Sequence, residues 1–319
     1  MAVQSRVVLE PSAQAVADAT SKPPFIYELA PAAARRVLED LQAAPAGLLP
    51  IDEEWITVHG AVRAARVRIV RPAGASGTLP VVVYLHGGGW ILGNAATHDR
   101  LVRELAIGAR AALLFVEYTN SPEAQYPVAI EQAYATAQWV VREGAAHGLD
   151  GARMAVAGDS AGGTMAAALS LMAKERGDVS FVQTSLYYPA TDAAMDTDSY
   201  DEFAVGYHLT RQAMEWFWDA YLPDVARRAA ITASPNQATI EQLAGLPPTL
   251  VLVDEADVLR DEGEAYAAKL RLAGVPVTTV RYDGVLHDFM MLNAMSEARA
   301  TRAAIAQATS FLREALGTA

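Results

Sequence analysis

Short apolar runs alternate with longer amphipathic segments along most of the chain, and this alternation predicts the class of fold. The runs at residues 81–85 and 112–116 are continuously apolar, without a polar residue at every second position. Continuous apolar runs are expected for central parallel strands whose two faces are both covered. Since helix-length segments lie between many of these runs, the sequence predicts a doubly wound α/β sheet flanked by helices.

The individual elements follow from the same pattern. The runs that we expect to be strands are residues 55–59, 66–70, 81–85, 112–118, 154–158, 181–188, 249–254 and 277–282. The segments that we expect to be helices are residues 97–109, 128–143, 160–175, 261–272 and 295–315. The first two strands have no helix between them, so we expect an antiparallel edge there.

Two stretches do not share this alternation. Residues 1–50 are predicted to be helical, with Pro31 at the first position of a helix. Residues 190–246 contain no clear strand–helix unit, and a long insertion in a compact domain often forms a lid. We therefore predict an α/β core of residues 51–189 and 247–319, with a mostly helical cap built from the other two stretches.

Composition narrows the class of protein. The chain has 319 residues, of which 52% are hydrophobic and 19% charged, as expected for a well-packed globular enzyme. Its net charge of -12 disfavours nucleic acid and anionic membranes as partners. The absence of cysteine excludes disulfides and a thiol nucleophile. No apolar run approaches the ~20 residues of a membrane span, and no signal peptide is apparent, so we expect a cytoplasmic protein.

Two glycine-rich motifs carry the candidate chemistry. GDSAGG, at residues 158–163, lies between a predicted strand and a predicted helix, as a G-x-S-x-G nucleophile elbow does, with Ser160 at its centre. HGGGW, at residues 86–90, follows a strand and has the form of an esterase oxyanion loop. A serine nucleophile needs both a base and donors for the developing oxyanion. The pair of motifs therefore predicts acyl transfer through a serine.

The glycines give these motifs a physical basis. Gly158 and Gly162 remove side chains that would crowd the sharp turn around the serine. We predict that the backbone amides of Gly88, Gly89 and Ala161 hold the oxyanion, the last from a helix N-terminus. The spacing does not match G-x-G-x-x-G or a P-loop, so nucleotide binding is not expected.

Taken together, these motifs resemble the hormone-sensitive lipase family of α/β-hydrolases, which contains many bacterial carboxylesterases. The similarity spans roughly residues 50–315. Its further matching segments are Tyr118 with Ser121-Pro122-Glu123, Tyr126-Pro127, residues 257–263 and His287-Asp288-Phe289. The chain departs from the family at Val258, where proline is usual, and at Thr119-Asn120. The resemblance implies an α/β-hydrolase fold with a mostly parallel eight-stranded sheet and a helical cap.

The order of catalytic residues in this fold is serine, acid, histidine. His287 lies beyond the last predicted strand, where the family places its base. Five carboxylates crowd the end of the preceding strand, and spacing alone does not choose among Asp254, Glu255, Asp257, Asp261 and Glu262. The resemblance selects Asp257, which would hold the tautomer of His287 and stabilise its imidazolium.

The substrate pocket is the part that the sequence constrains least. The candidates for its lining are Trp90, Tyr188, Phe203, Leu209 and Trp216, although packing in the core or cap explains each of them equally well. His86 resembles the family's loop histidine, which orients the oxyanion loop without transferring protons.

The resemblance implies a serine carboxylesterase that acts on small-molecule esters of short to medium acyl chain. Two other activities stay open: an amidase or peptidase on the same scaffold, and a ligand-binding receptor. Because Ser160, Asp257 and His287 are all present, the receptor is disfavoured. No metal or organic cofactor is expected, since motifs such as H-E-x-x-H are absent. Similar proteins include homodimers, and the sequence leaves the oligomeric state open.

Overall fold

One eight-stranded sheet forms the centre of the protein in the computed structural model, which describes residues 7–43 and 47–319. Its strands are β1 (Ile51–Val58), β2 (Ala65–Pro72), β3 (Leu79–Leu85), β4 (Ala112–Glu117), β5 (Leu149–Asp159), β6 (Gln183–Tyr187), β7 (Thr249–Ala256) and β8 (Val277–Leu286). In space they follow the order β1-β2-β4-β3-β5-β6-β7-β8. The predicted number and positions of the strands are confirmed.

The pairing of the strands determines where the functional loops meet. β1 and β2 are antiparallel, as expected, and β2 is also antiparallel to β4. The remaining pairs are parallel. Because parallel strands end at the same edge of the sheet, the segments that follow β3, β5, β7 and β8 converge there. These segments contain the two glycine motifs, Asp257 and His287.

Ten α-helices lie in the described part of the chain. They are α1 (Pro11–Thr20), α2 (Pro31–Leu41), α3 (Asp99–Ala109), α4 (Val128–Glu143), α5 (Ala161–Arg176), α6 (Asp198–Glu202), α7 (Arg211–Tyr221), α8 (Ile240–Leu243), α9 (Arg260–Leu272) and α10 (Arg299–Leu316). The five predicted core helices are present, and Pro31 opens α2 as expected. The last helix begins later than predicted because Asn293–Met295 forms a separate 3-10 turn.

Burial on both faces of the sheet explains why apolar and polar residues do not alternate in the central strands. The β4 residues from Ala112 to Val116 are completely inaccessible to solvent, so both faces of this strand are covered. α5 is buried from Ala161 to Ala173, as expected for a helix that is apolar on every side. None of the described helices is long and apolar enough to span a membrane. The serine motif therefore starts a helix that is fixed in the interior of the protein.

The N-terminal helices are attached to the core by specific polar contacts. The Glu10 amide donates to the carbonyl oxygen of Gly284 at 2.7 Å, just ahead of α1. The Glu10 carboxylate accepts the amides of Arg299 and Ala300, each at 3.1 Å, at the start of α10. Residues 1–6 and 44–46 of the predicted N-terminal cap segment lie outside the described residues. The division into core and cap stays a prediction at this point.

Arg35 provides the corresponding attachment for α2. Its guanidinium donates to the carbonyl oxygens of Ile91 and Ser121, both at 2.8 Å, and to the Glu123 carboxylate. The Glu123 side chain is about half exposed, so this ion pair contributes little stability. The carbonyl of Ile91 matters more because it lies just after the HGGGW motif. Arg35 therefore joins α2 to the loop that carries the candidate oxyanion donors.

We predict that Arg35→Ala lowers the free energy of unfolding by about 1–3 kcal/mol, since carbonyl groups are left without a charged donor. Urea denaturation measures this change. Arg36→Ala is the matched control, because the neighbouring Arg36 side chain is exposed. Equal unfolding free energies for the two variants would contradict the anchoring role of Arg35.

Candidate active site

Ser160 occupies a strained turn between β5 and α5. Its backbone angles are φ 54° and ψ -123°, a left-handed conformation that costs a non-glycine residue of order 1–3 kcal/mol. The backbone segments around this turn are so close together that they leave no room for side chains at the flanking positions. A Cβ atom at Gly162 would overlap the carbonyl of Leu85, and one at Gly158 would overlap the carbonyl of Gly162. The two glycines therefore allow the chain to hold the serine hydroxyl at the edge of the sheet.

A continuous hydrogen-bonded chain runs from this hydroxyl to a carboxylate. The Ser160 Oγ lies 2.8 Å from Nε2 of His287, and Nδ1 of His287 lies 2.7 Å from Oδ2 of Asp257. The other oxygen of Asp257 accepts the amide of Leu259 at 3.0 Å. All three side chains are at least 95% buried. With Nδ1–H donating to Asp257, Nε2 is free to accept the serine proton, which is the arrangement of a serine nucleophile with its base.

The HGGGW loop lies beside the serine and presents backbone amides. Gly88 and Gly89 have positive φ angles of 97° and 58°, and both contribute to the cavity above Ser160. A Cβ atom at Gly88 would approach the carbonyl carbon and oxygen of Leu92 to 2.7 Å, and one at Gly89 would overlap the ring of Phe217. Ala161 begins α5, where helix amides have no intrahelical partner. The predicted oxyanion donors are thus brought to the same place as the nucleophile.

His86, the first residue of the HGGGW motif, holds the backbone of this loop in place. Its ring is stacked between Phe115 and Tyr118, with centroid distances of 5.1 and 4.1 Å. Nδ1 of His86 lies 2.9 Å from the carbonyl oxygen of Gly87, to which it donates as the neutral tautomer allows. Burial, followed by the effect of His98, lowers the pKa of His86 to about 3. His86 is therefore neutral over the working range of an enzyme and acts as a structural support.

An apolar cavity of about 160 Å³ opens above Ser160. One wall comes from the N-terminal segment, and the other comes from residues 208–217. The apolar residues of the lining include Phe25, Ile26, Leu38, Leu41, Leu209, Ala213 and Phe217. Ser160 and His287 are also part of the lining, so the reactive hydroxyl is accessible from the cavity.

Of the five residues suggested for the pocket, Leu209 lines this cavity and the other four do not. Trp90 stacks on Tyr221 with a centroid distance of 4.2 Å, and Trp216 packs against Phe217. Trp90 therefore packs the HGGGW loop against α7, whereas the contact of Trp216 lies within α7 itself. The sequence could not distinguish Phe217 from its two tryptophan neighbours, because only the rotation of α7 decides which of the three faces the serine.

The remaining two pocket candidates also have packing roles. Tyr188 lies edge-on against the His287 ring at a centroid distance of 5.0 Å. Phe203 packs against Tyr207 at 5.0 Å and lies beneath the guanidinium of Arg260. Tyr188 thus holds the base from the side of the protein interior.

The N-terminal residues that line the cavity were not among the predicted pocket residues. No local sequence pattern shows which helix covers the edge of the sheet.

A second carboxylate acts on the base. Oδ1 of Asp288 lies 3.6 Å from Nε2 of His287, and Oδ2 of Asp288 lies 3.7 Å from Nε2 of His208. Burial alone would lower the pKa of His287, but Asp257 and Asp288 outweigh it and raise this pKa above the ordinary histidine value. For Asp288, burial is outweighed by His287 and His208, which lower its pKa. The imidazolium of His287 is therefore stabilised from both of its nitrogen atoms.

One group of potential metal-binding side chains is close enough to share an ion among the described residues. It consists of Asp254, Asp257 and His287. Both ring nitrogens of His287 already have partners, Asp257 at Nδ1 and Ser160 at Nε2. We therefore interpret the group as part of the serine–histidine–aspartate chain and assign no ion to it.

The comparison with known families agrees with this geometry. The sequence profile of a family described as alpha/beta hydrolase fold matches residues 82–291, which is more than half of the chain. The chain belongs to this family, and its predicted place among relatives of hormone-sensitive lipase is confirmed. The predicted fold class is confirmed as well.

Individual relatives are similar over most of their length. The crystal structure of a thermostable esterase from Pseudomonas putida has a TM-score of 0.94 and 46% identity, covering 97% of this chain and 98% of that one. Carboxylesterase NlhH from Mycobacterium tuberculosis is 37% identical over 264 residues, which is 81% of each chain. An ethyl acetate hydrolase from Pseudomonas putida is 34% identical over 72% of this chain and 73% of its own.

The raised pKa of His287 predicts the pH dependence of ester hydrolysis. The base acts in its neutral form, so kcat/KM should rise with pH, with a midpoint above the ordinary histidine value of 6.5. Asp288→Asn removes an ionised carboxylate near the ring and should lower this midpoint by about one unit. Initial rates between pH 5 and pH 10 measure both effects. A flat profile in the wild type, or an unchanged midpoint in the variant, would contradict this account.

Proposed function

We propose that this carboxylic ester hydrolase acts on short- to medium-chain esters of small alcohols through an acyl-enzyme intermediate on Ser160. The observation that carries the proposal is the unbroken contact from Ser160 through His287 to Asp257 at the floor of an apolar cavity. An apolar cavity with a few convergent polar groups is what a small-molecule site requires.

The reaction follows from the positions of these groups. His287 takes the proton of Ser160 at Nε2 as Oγ attacks the ester carbonyl. The amides of Gly88, Gly89 and Ala161 hold the negative charge of the tetrahedral intermediate. His287 then protonates the leaving alcohol, and a water molecule releases the acid by the same sequence of steps. Asp257 stabilises the imidazolium in both halves of the reaction.

The size and polarity of the cavity support small substrates. Its volume is about 160 Å³, and most of its lining is apolar. A similar protein is an ethyl acetate hydrolase, which agrees with an acyl group of a few carbon atoms. Leu209 and Phe217 are the proposed contacts for the acyl or alcohol part, since both line the cavity together with the nucleophile.

We also propose that residues 1–50 and 190–246 act as one cap over the core of residues 51–189 and 247–319. In support, the described parts of both stretches supply walls of the cavity above Ser160. The Asp288–His208 contact joins the second stretch to the core next to the base. A cytoplasmic location and a homodimer stay predictions.

We predict that Ser160→Ala lowers kcat for p-nitrophenyl acetate on the order of 10⁴-fold or more, because the nucleophile is lost. A fluorophosphonate probe should label the wild type at Ser160 and leave the variant unlabelled. Ser185→Ala is the matched control, since Ser185 is a buried serine of β6 that does not line the cavity. Near-normal turnover by Ser160→Ala would exclude Ser160 as the nucleophile.

The oxyanion assignment makes a separate prediction. Gly88→Ala brings a Cβ atom to 2.7 Å from the backbone of Leu92, so the loop must shift and its amides with it. The loss of one oxyanion donor typically raises the barrier by about 2.7–4 kcal/mol, so kcat should fall on the order of 10²- to 10³-fold.

Gly74→Ala is the control for this substitution. Gly74 also has a positive φ angle, of 70°, but no atom lies within 4 Å of the Cβ position. The control separates the cost of the backbone conformation from the displacement of the loop. If both variants kept wild-type kcat, Gly88 would have no part in oxyanion binding.

A further inference from the structure

Three carboxyl groups lie near the imidazole of His287, and two of them, Asp257 and Asp288, stabilise its positive charge. The third belongs to Asp254, near the end of β7 and three residues before Asp257. Asp254 is completely buried, and within the described part of the chain neither of its oxygens has a hydrogen-bond partner among conventional donors. Yet one polar side-chain atom from each of Asp254, Asp257 and His287 lies within 4.8 Å of the other two. An unpaired buried carboxylate here would be costly.

The other two carboxylates have reasons to be ionised. Asp257 accepts from Nδ1 of His287 at 2.7 Å and from the amide of Leu259 at 3.0 Å. Asp288 faces two imidazoles, those of His287 and His208, within 4 Å. If Asp254 were also ionised, three carboxylates would share a buried space with only two imidazoles, those of His287 and His208. The negative charge of Asp254 would then have no compensating positive charge. Two carboxyl groups in contact commonly resolve this conflict by sharing one proton.

We propose that Asp254 is a positioning residue that retains its proton at neutral pH and donates it in a hydrogen bond to Asp257. The proton removes the unfavourable charge, and the hydrogen bond gives the buried carboxyl group of Asp254 its missing partner. Asp257 is then held by donors on two sides, from Leu259 and Asp254, while it accepts the hydrogen bond from Nδ1 of His287. These donors fix the plane of the Asp257 carboxylate relative to the ring of His287.

The charged surroundings of Asp254 agree with this assignment. Burial, followed by the negative charge of Asp257, raises the pKa of Asp254 well above its ordinary value. Among the neighbouring groups, His287 opposes this effect, and Asp288 adds to it. Directly after the adjacent strand β6, the phenol of Tyr188 is buried and has a pKa raised well above its ordinary value, chiefly by burial, so it brings no charge. A neutral Asp254 is therefore compatible with these four neighbouring groups.

The test compares three variants by the pH dependence of kcat/KM and by kcat and KM separately. Asp254→Asn is also neutral, and its amide can donate to Asp257, so most of the wild-type kcat should remain. Its midpoint should stay within about 0.3 pH unit of the wild type. Asp288→Asn, which removes an ionised carboxylate, should lower the midpoint by about one unit under the same conditions.

Asp254→Leu removes the donor without leaving a large cavity. We expect kcat to fall about tenfold or more, with KM little changed, because the bond that is lost ends on a charged group. Rescue by asparagine and not by leucine separates a hydrogen-bonding role from simple filling of space. Wild-type kcat in Asp254→Leu would overturn the positioning role. A midpoint in Asp254→Asn that falls as it does in Asp288→Asn would overturn the retained proton.

Infrared spectroscopy provides a readout that does not depend on turnover. The wild type at neutral pH should show the C=O band of a protonated carboxylic acid in a difference spectrum against Asp254→Asn. Absence of the band would overturn the proposal, even if Asp254→Leu failed to fold. The inference rests on the proposed function through Asp257, and fluorophosphonate labelling of Ser160 in the wild type tests that function independently. Labelled, active enzyme without the infrared band would leave the esterase mechanism intact and remove only the role of Asp254.

Discussion

The close approach of two backbone segments, the end of β3 and the start of α5, is the constraint on which the structure of the site depends. Gly158 and Gly162 allow contact with the carbonyls around Leu85 that no side chain would permit. This contact places the oxyanion loop, which continues from β3, directly beside Ser160. It also stabilises the left-handed conformation of Ser160, since a relaxed turn would have to separate the strand from the helix.

The same burial that fixes this geometry creates an electrostatic problem. The Ser160–His287–Asp257 chain lies almost entirely out of solvent, where an isolated charge is expensive. The protein compensates by surrounding a single imidazole with acidic groups, which stabilise the positive charge that forms during catalysis. His208 contributes from the other side, since it lies 3.7 Å from Asp288 and lowers the pKa of that carboxyl group. The base is therefore tuned by residues from both the core and the segment above it.

Much of the fold could be predicted because its information is local. The continuous apolar runs, such as those of β3 and β4, and the helices between them reflect burial on both faces of the sheet. The elbow at Ser160 could also be predicted, because the turn is sterically possible only with glycines at this spacing. The lining of the pocket was not visible in the same way. Phe217 and the N-terminal residues line the cavity above Ser160 through packing between distant elements, and no local pattern encodes such an arrangement.

The sequence by itself determined the order of the strands along the chain, the identity of the nucleophile candidate and the two glycine motifs that surround it. It left five carboxylates at the end of β7 equivalent in spacing. The family resemblance pointed to Asp257, but the tertiary structure shows that Asp257 reaches His287, at 2.7 Å, while Asp254 lies buried beside it. The reason is that hydrogen bonding and charge depend on distances in space, and those are fixed by the packing of β7 against β8 and not by position along the chain.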